Sequence, residues 1–195
     1  MPSSEILLAR HGETEWSASG QHTGLTDIPL TESGRRQAEA LGRRLRGRTF
    51  ASVLTSPLGR ASETCRLAGL GDRCTERAEL IEWDYGEYEG KTTPEIRETV
   101  PGWSVWSHPT PGGETPAQIG ARVDGVISEL AAPEGDVALF AHGHVLRVLG
   151  ARWIGLSPES GARLALSTGT LSILGWERGR RVIHLWNDSS HLDRE

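Results

Sequence analysis

Two aliphatic runs in this chain end in the same way. Ile6-Leu7-Leu8-Ala9 runs into Arg10-His11-Gly12, and Val137-Ala138-Leu139-Phe140-Ala141 runs into His142-Gly143-His144. Four or five apolar residues without polar alternation read as a strand buried on both faces, the kind found in parallel sheets covered by helices. In an open α/β sheet, ligands bind beyond the carboxyl ends of the strands. If the two strands are parallel neighbours, His11 and His142 converge on one crevice. The glycine after each histidine lets the backbone approach a ligand and leaves its N–H free.

The rest of the chain alternates strands with helices. Residues 5–9 form the first strand, and the polar stretch 12–30 reads as a loop. Thr31 is placed to cap a helix over 32–46. A strand follows at 51–56, and Pro57 opens a helix over 58–69. Residues 76–83 read as a third strand. Residues 84–115 are an irregular, lid-like insertion with a short helix near 93–99. An amphipathic helix covers 116–131. The apolar strand 136–142 leads into helices at 144–153 and 158–164, and 170–187 reads as a hairpin turning near Arg178-Gly179. The pattern predicts an α/β fold with a mixed, mostly parallel sheet covered on both faces. With 195 residues, no shift in composition and no internal repeat, residues 1–195 read as one domain.

Composition narrows the partners. No apolar run approaches the ~20 residues of a membrane span, and MPSSEILLAR lacks the pattern of a secretory leader. The formal net charge of −5 argues against nonspecific binding to nucleic acid or an anionic membrane. Two cysteines, Cys65 and Cys74, are too few for a disulfide framework and are not spaced as a zinc pair. They read as ordinary thiols of a reducing, cytoplasmic compartment.

An anion site must then be a local cluster of cations. The strand at 51–56 feeds Ser56-Pro57-Leu58-Gly59-Arg60, which puts Arg60 in the first turns of a helix with a positive N-terminus. The third strand brings Glu82. Two imidazoles, two guanidiniums and one carboxylate then share the crevice, and guanidiniums suit a phosphate. A metal site built from His11, His142, His144 and Glu82 is the competing reading. Arg10 and Arg60 would repel a divalent cation there.

These residues resemble a known family. Arg10-His11-Gly12-Glu13-Thr14, Thr23-Gly24-Leu25, Leu30-Thr31 and Gly34, Thr55-Ser56-Pro57 with Arg60-Ala61 and Thr64, Glu82 with Tyr85-Gly86 and Glu89-Gly90, and Ala141-His142-Gly143 resemble, in order, the histidine phosphatase superfamily, phosphoglycerate-mutase-like branch 1. The resemblance implies a three-layer α/β/α sandwich and phosphoryl transfer through a phosphohistidine. In it His11 is the nucleophile; Arg10, Arg60 and His142 hold the phosphoryl oxygens; Glu82 gives a proton to the leaving alcohol and then activates water. It implies a small phosphorylated substrate and no metal or other cofactor; homodimers are common in such proteins. The cations beside His11 disfavour its protonation and a bound dianion favours the protonated Glu82, so activity at acidic to neutral pH is expected.

Mutases of this family carry a long insertion between the acid and the second histidine, with paired arginines that grip a carboxylate. Here 60 positions separate Glu82 from His142 (142 − 82), and Arg97 and Arg122 are not adjacent. Hydrolysis is therefore expected over mutase chemistry. EWSASGQHTGLTDIPLT, EWDYGEYEG and FAHGHVLR look most like the sedoheptulose-bisphosphatase-like phosphatases. That likeness implies substrate contacts at Ser17, Thr23, Gly24, Tyr85, Gly143 and Arg147. Ser17 stands where many members carry asparagine, and its hydroxyl has fewer donors. Trp16 and Trp83 adjoin motif residues and are placed to wall the pocket; Trp103, Trp106 and His108, on the lid-like segment, either line its entrance or bury a satellite cluster. The same residues would also serve a phosphoprotein phosphatase, or a protein that binds phosphorylated ligands without turnover.

Overall fold

The two aliphatic runs do lie side by side. The computed structural model describes residues 4–131 and 134–192. Its strands are β1 (Ile6–Arg10), β2 (Ser52–Thr55), β3 (Cys74–Glu76), β4 (Val137–Ala141), β5 (Leu171–Glu177) and β6 (Arg180–Asp188), joined in one sheet in the order β3-β2-β4-β1-β5-β6. The pairs among β1 to β4 are parallel, with Ile6 beside Val137 and Arg10 beside Ala141. β5 and β6 run antiparallel at the far edge, and Arg178 and Gly179 turn their hairpin with positive φ of 50° and 77°.

Strand alternation sends the core to both faces. Ile6, Leu8, Leu139 and Ala141 pack with Ile119 and Val123 of α5 (Pro116–Glu129) and Val145, Leu149 and Trp153 of α6 (Gly143–Trp153). Leu7, Ala9, Ala138 and Phe140 pack against Leu41 of α2 (Glu32–Arg44) and Cys65 of α3 (Gly59–Leu67). The result is the expected three-layer α/β/α sandwich. Caps set the helix starts: the Thr31 hydroxyl accepts from the Gly34 N–H, and Thr115 with Gln118 forms a capping box ahead of Pro116. No helix among the described residues is long and apolar enough to cross a membrane.

Four local expectations change. The third strand covers residues 74–76, not 76–83, because β2 ends at Thr55 and offers no further ladder; the Arg77 N–H to the Thr55 carbonyl is the last bond. Glu82 therefore follows a 3₁₀ turn, Ala78–Leu80, on irregular chain rather than at a strand end. Pro57 precedes the N-cap Leu58, outside the first turn of α3. Residues 158–163 form a 3₁₀ helix, and a short helix, α1 (Glu15–Ser19), interrupts the expected loop, closed by a Thr14–Ser17 capping box. The short helix near 93–99 is present as α4 (Thr93–Thr99). Trp103 and Val105 of the 84–115 segment are buried in the α5–α6 cluster.

Beyond β1 the chain passes very close to the start of α2. A Cβ on Gly12 would lie 2.2 Å from the Gly34 carbonyl oxygen, and one on Gly34 would lie 2.1 Å from that of Glu13. Both contacts are backbone, which cannot swing aside. Gly12→Ala is expected to lower unfolding free energy by about 1–3 kcal/mol, the usual cost of overpacking, measurable as a lower urea midpoint at unchanged slope.

Candidate active site

The parallel pairing of β1 and β4 brings the two histidines together. His11 and His142 rings are 5.2 Å apart between centroids, and both residues are buried. His11 Nδ1 lies 2.7 Å from the Gly12 carbonyl oxygen. A carbonyl only accepts, so Nδ1 carries the proton and Nε2 keeps its lone pair. Burial first, then the charges of Arg10 and Arg60, hold His11 well below the usual imidazole range. His142 is held down by burial, then by Arg60, His11 and Arg10. The Arg60 Nε–H donates to its Nδ1 at 3.1 Å, so Nε2–H faces Ser56 Oγ at 2.7 Å.

The two guanidiniums differ. Arg60 is fully buried, and its remaining donors reach the carbonyls of Thr26 (2.8 Å), Thr23 (3.2 Å) and Gly24 (2.7 Å), with Asp27 Oδ1 at 3.6 Å. It stands behind His142 and clamps the 23–27 loop. Arg10 donates through Nη1 to the Leu166 carbonyl, while its buried Nε has no hydrogen-bond partner among the described residues. A Cβ at Gly143 would sit 3.3 Å from the Arg10 guanidinium carbon, so glycine makes room for this side chain.

Glu82 is fixed by the start of α6. Its Oε2 accepts the His144 N–H at 2.9 Å, and its Oε1 accepts those of Val145 and Trp83 at 2.9 Å each. A carboxylate at a helix N-terminus satisfies donors that lack intrahelical partners. The chain leading to it is held by Arg122, whose Nη1 donates to the carbonyls of Glu79 and Ile81 at 2.7 Å each. Glu114 anchors Arg122 in turn, at 3.0 and 2.8 Å.

A cavity of about 170 Å³ opens over these groups. Of the residues singled out in the sequence, Arg10, His11, Ser17, Thr23, Glu82, Tyr85, Gly143 and Arg147 line it. Three predicted residues stand back from it. Arg60 and His142 lie behind the wall, and Gly24 gives its N–H to Glu89 and its carbonyl to Arg60. The Ser17 hydroxyl is engaged by Thr14, donating to its carbonyl at 2.9 Å. Arg147 lies over the Trp106 ring at 4.6 Å and donates to the Gly161 and Ala162 carbonyls.

Sequence reasoning misses part of the wall. His22 lines the cavity, packed on Tyr85 at 4.8 Å. His144, which the sequence suggests only as a metal ligand, pairs its Nδ1 with the Tyr85 hydroxyl at 2.6 Å. The competing metal set does not fit: both Glu82 oxygens, both His142 nitrogens and His144 Nδ1 already have protein partners, and no metal-holding group of three or more such side chains occurs among the described residues.

Burial also depresses His22, to about 4, and holds His144 well below the usual range. Below pH about 6.5, the unfolded chain takes up protons that His11, His22, His142 and His144 refuse in the fold. Stability is thus complete above that pH and falls as pH drops, by up to about 1.4 kcal/mol per pH unit for each histidine. Melting temperature is expected to decline steeply from pH 7 to pH 5. A flat profile would mean that these imidazoles titrate normally in the fold.

A family model described as "Histidine phosphatase superfamily (branch 1)" matches residues 6–189. An acid phosphatase of Mycobacterium tuberculosis is 42% identical over 192 residues, covering 95% of this chain and 93% of that protein. Sedoheptulose 1,7-bisphosphatase of Saccharomyces cerevisiae is 38% identical over 185 residues, covering 78% and 68%. A solved structure from Mycobacterium tuberculosis superposes with a TM-score of 0.89 at 42% identity, covering 94% and 97%. The chain belongs to the histidine phosphatase superfamily, branch 1.

Proposed function

We propose that this phosphatase is a metal-independent phosphomonoesterase for small phosphorylated metabolites, sugar phosphates above all, working through a phosphohistidine on His11. One observation carries the reading. His11 is neutral, with Nδ1–H fixed on the Gly12 carbonyl, and it shares its cavity with Arg10, whose buried Nε lacks a partner among the described residues.

The chemistry follows from the groups present. Nε2 of His11 attacks phosphorus, and the P–O bond to the substrate alcohol breaks as Glu82 supplies a proton to that oxygen. Glu82 then takes a proton from water, which attacks phosphorus and breaks the P–N bond, returning neutral His11 and phosphate. Arg10 stabilises the charge of the transferring group at close range. Arg60 adds its charge from behind and orients His142. The depressed pKa of His11 keeps the nucleophile neutral well into the acid range.

Substrate size and class follow from the walls. A cavity of about 170 Å³ lined by Tyr85, His22 and His144 suits a small molecule rather than a protein side chain on its backbone. Arg147, stacked on Trp106, stands at the wall to meet a hydroxyl or second anionic group. The names of the acid phosphatase and bisphosphatase relatives support hydrolysis of such esters. Arg97, which donates to the Trp103 carbonyl, and Arg122 are both engaged away from any carboxylate grip, which weighs against a mutase.

A panel of sugar mono- and bisphosphates, phosphoglycerates, nucleotides and phosphopeptides tests the proposal. Phosphate release from sugar phosphates is expected to persist in EDTA and to vanish in His11→Ala. Interconversion of phosphoglycerates without phosphate release would replace hydrolysis with mutase chemistry; no turnover at all would leave a binding protein. Arg122→Gln, which frees the chain that positions Glu82, is expected to lower kcat about 10- to 100-fold with little change in KM, in line with partial loss of acid–base catalysis. An equal rise in KM would instead mark Arg122 as a binding residue.

A further inference from the structure

The only two cysteines of the chain meet on the opposite side of β2 from His11. Cys65, on α3, is fully buried, and Cys74 opens β3 and is half-buried. Their Sγ atoms lie 2.8 Å apart. That is closer than unbonded sulfurs rest, and it aims the two side chains at each other across the junction of α3 and β3. Formation of a disulfide, with a bond of about 2.0 Å, needs only a small movement from there.

Cys74 also lines a separate cavity of about 680 Å³, which shares no lining residue with the histidine cavity. Asp27, Glu63, Asp72 and Glu76 give it negative charge, and Arg60 and Arg66 positive charge. Walls of both signs suit a small zwitterion. The buried Cys65 has no such access.

We propose that Cys74 and Cys65 form a thiol–disulfide exchange site, and that the adjoining cavity admits a low-molecular-weight peptide disulfide of the glutathione type. The Cys74 thiolate attacks one sulfur of that disulfide, forming a mixed disulfide and releasing one small thiolate. Cys65 then loses its proton to that thiolate and attacks the Cys74 sulfur, releasing the second small thiol. Two protein thiols and one small disulfide become one protein disulfide and two small thiols, so electrons and protons balance. The order of attack has an electrostatic basis. The hydrogen bond from Cys65 draws the Cys74 thiol down, with Thr55 assisting against burial and Glu76, and the same bond pushes Cys65 up. The closed bond ties α3 to the sheet edge. Because the sulfurs already touch, it leaves Arg60, earlier on the same helix, in place.

The test treats the native chain with oxidised glutathione and reads thiols, mass, melting temperature and phosphate release. The expected product has no free thiol, a mass lower by two hydrogens, and a tryptic disulfide joining Ala61–Arg66 to Cys74–Arg77. It melts higher and releases phosphate at an unchanged rate. Cys65→Ser is expected to stop at one glutathione on Cys74, and Cys74→Ser to remain unmodified. Retention of both thiols in the native chain, glutathione on Cys65, or disulfides only between chains would each overturn the proposal. The thiol and mass readouts stand whatever the substrate of the histidine site proves to be.

Discussion

At the carboxyl ends of β1 and β2 the fold encloses more positive than negative charge. Among the described residues, Arg60 is fully buried and the Nε of Arg10 is buried without a partner, yet Glu82 is the one carboxylate on the wall of the cavity. Ionised groups are costly to bury unless answered. The protein answers in part with carbonyls, three of which take donors of Arg60. It answers also by keeping His11 and His142 uncharged. An unsatisfied buried donor costs about 1–3 kcal/mol, and an anion against Arg10 removes that cost. Ligand affinity and fold stability therefore draw on the same imbalance.

A second dependency runs through α6. Arg122 and Glu114 pin the carbonyls ahead of Glu82, and Glu82 accepts the first free N–H groups of α6. That helix carries His144 and Arg147 into the cavity wall. One set of hydrogen bonds thus fixes both the carboxylate and the residues that face the distal part of a ligand. Displacement at Arg122 would be felt at both.

What the sequence discloses, and what it does not, divides along a physical line. His11 and His142 are legible because a buried strand and its ending lie in adjacent residues, and the sheet rule supplies the rest. Arg60 is legible through the helix start that follows β2. Glu82 stands out for the wrong reason: the strand expected to carry it ends at Glu76, and only the family resemblance marks the residue. Arg122 enters the sequence reading only as an arginine not adjacent to Arg97, because an arginine's partners, here the carbonyls of Glu79, Ile81 and Glu82, are invisible in sequence. His22 gives no signal either. Its position rests on the bridge between Gln21 and Thr92, some seventy residues apart, and contacts at that range leave no periodic trace.

The strand order also governs how the chain must come together in time. β4 lies between β1 and β2, though both are made long before it. During synthesis those two strands flank an open slot, each with an apolar edge that has no partner yet. The slot closes only when residues 137–141 emerge and insert, and the same event seats His142 beside His11. The growing chain must therefore keep two hydrophobic edges from pairing wrongly until about three-quarters of its length exists. The candidate site comes into being in the step that ends that exposure, so a chain cut short of β4 carries His11 without its setting.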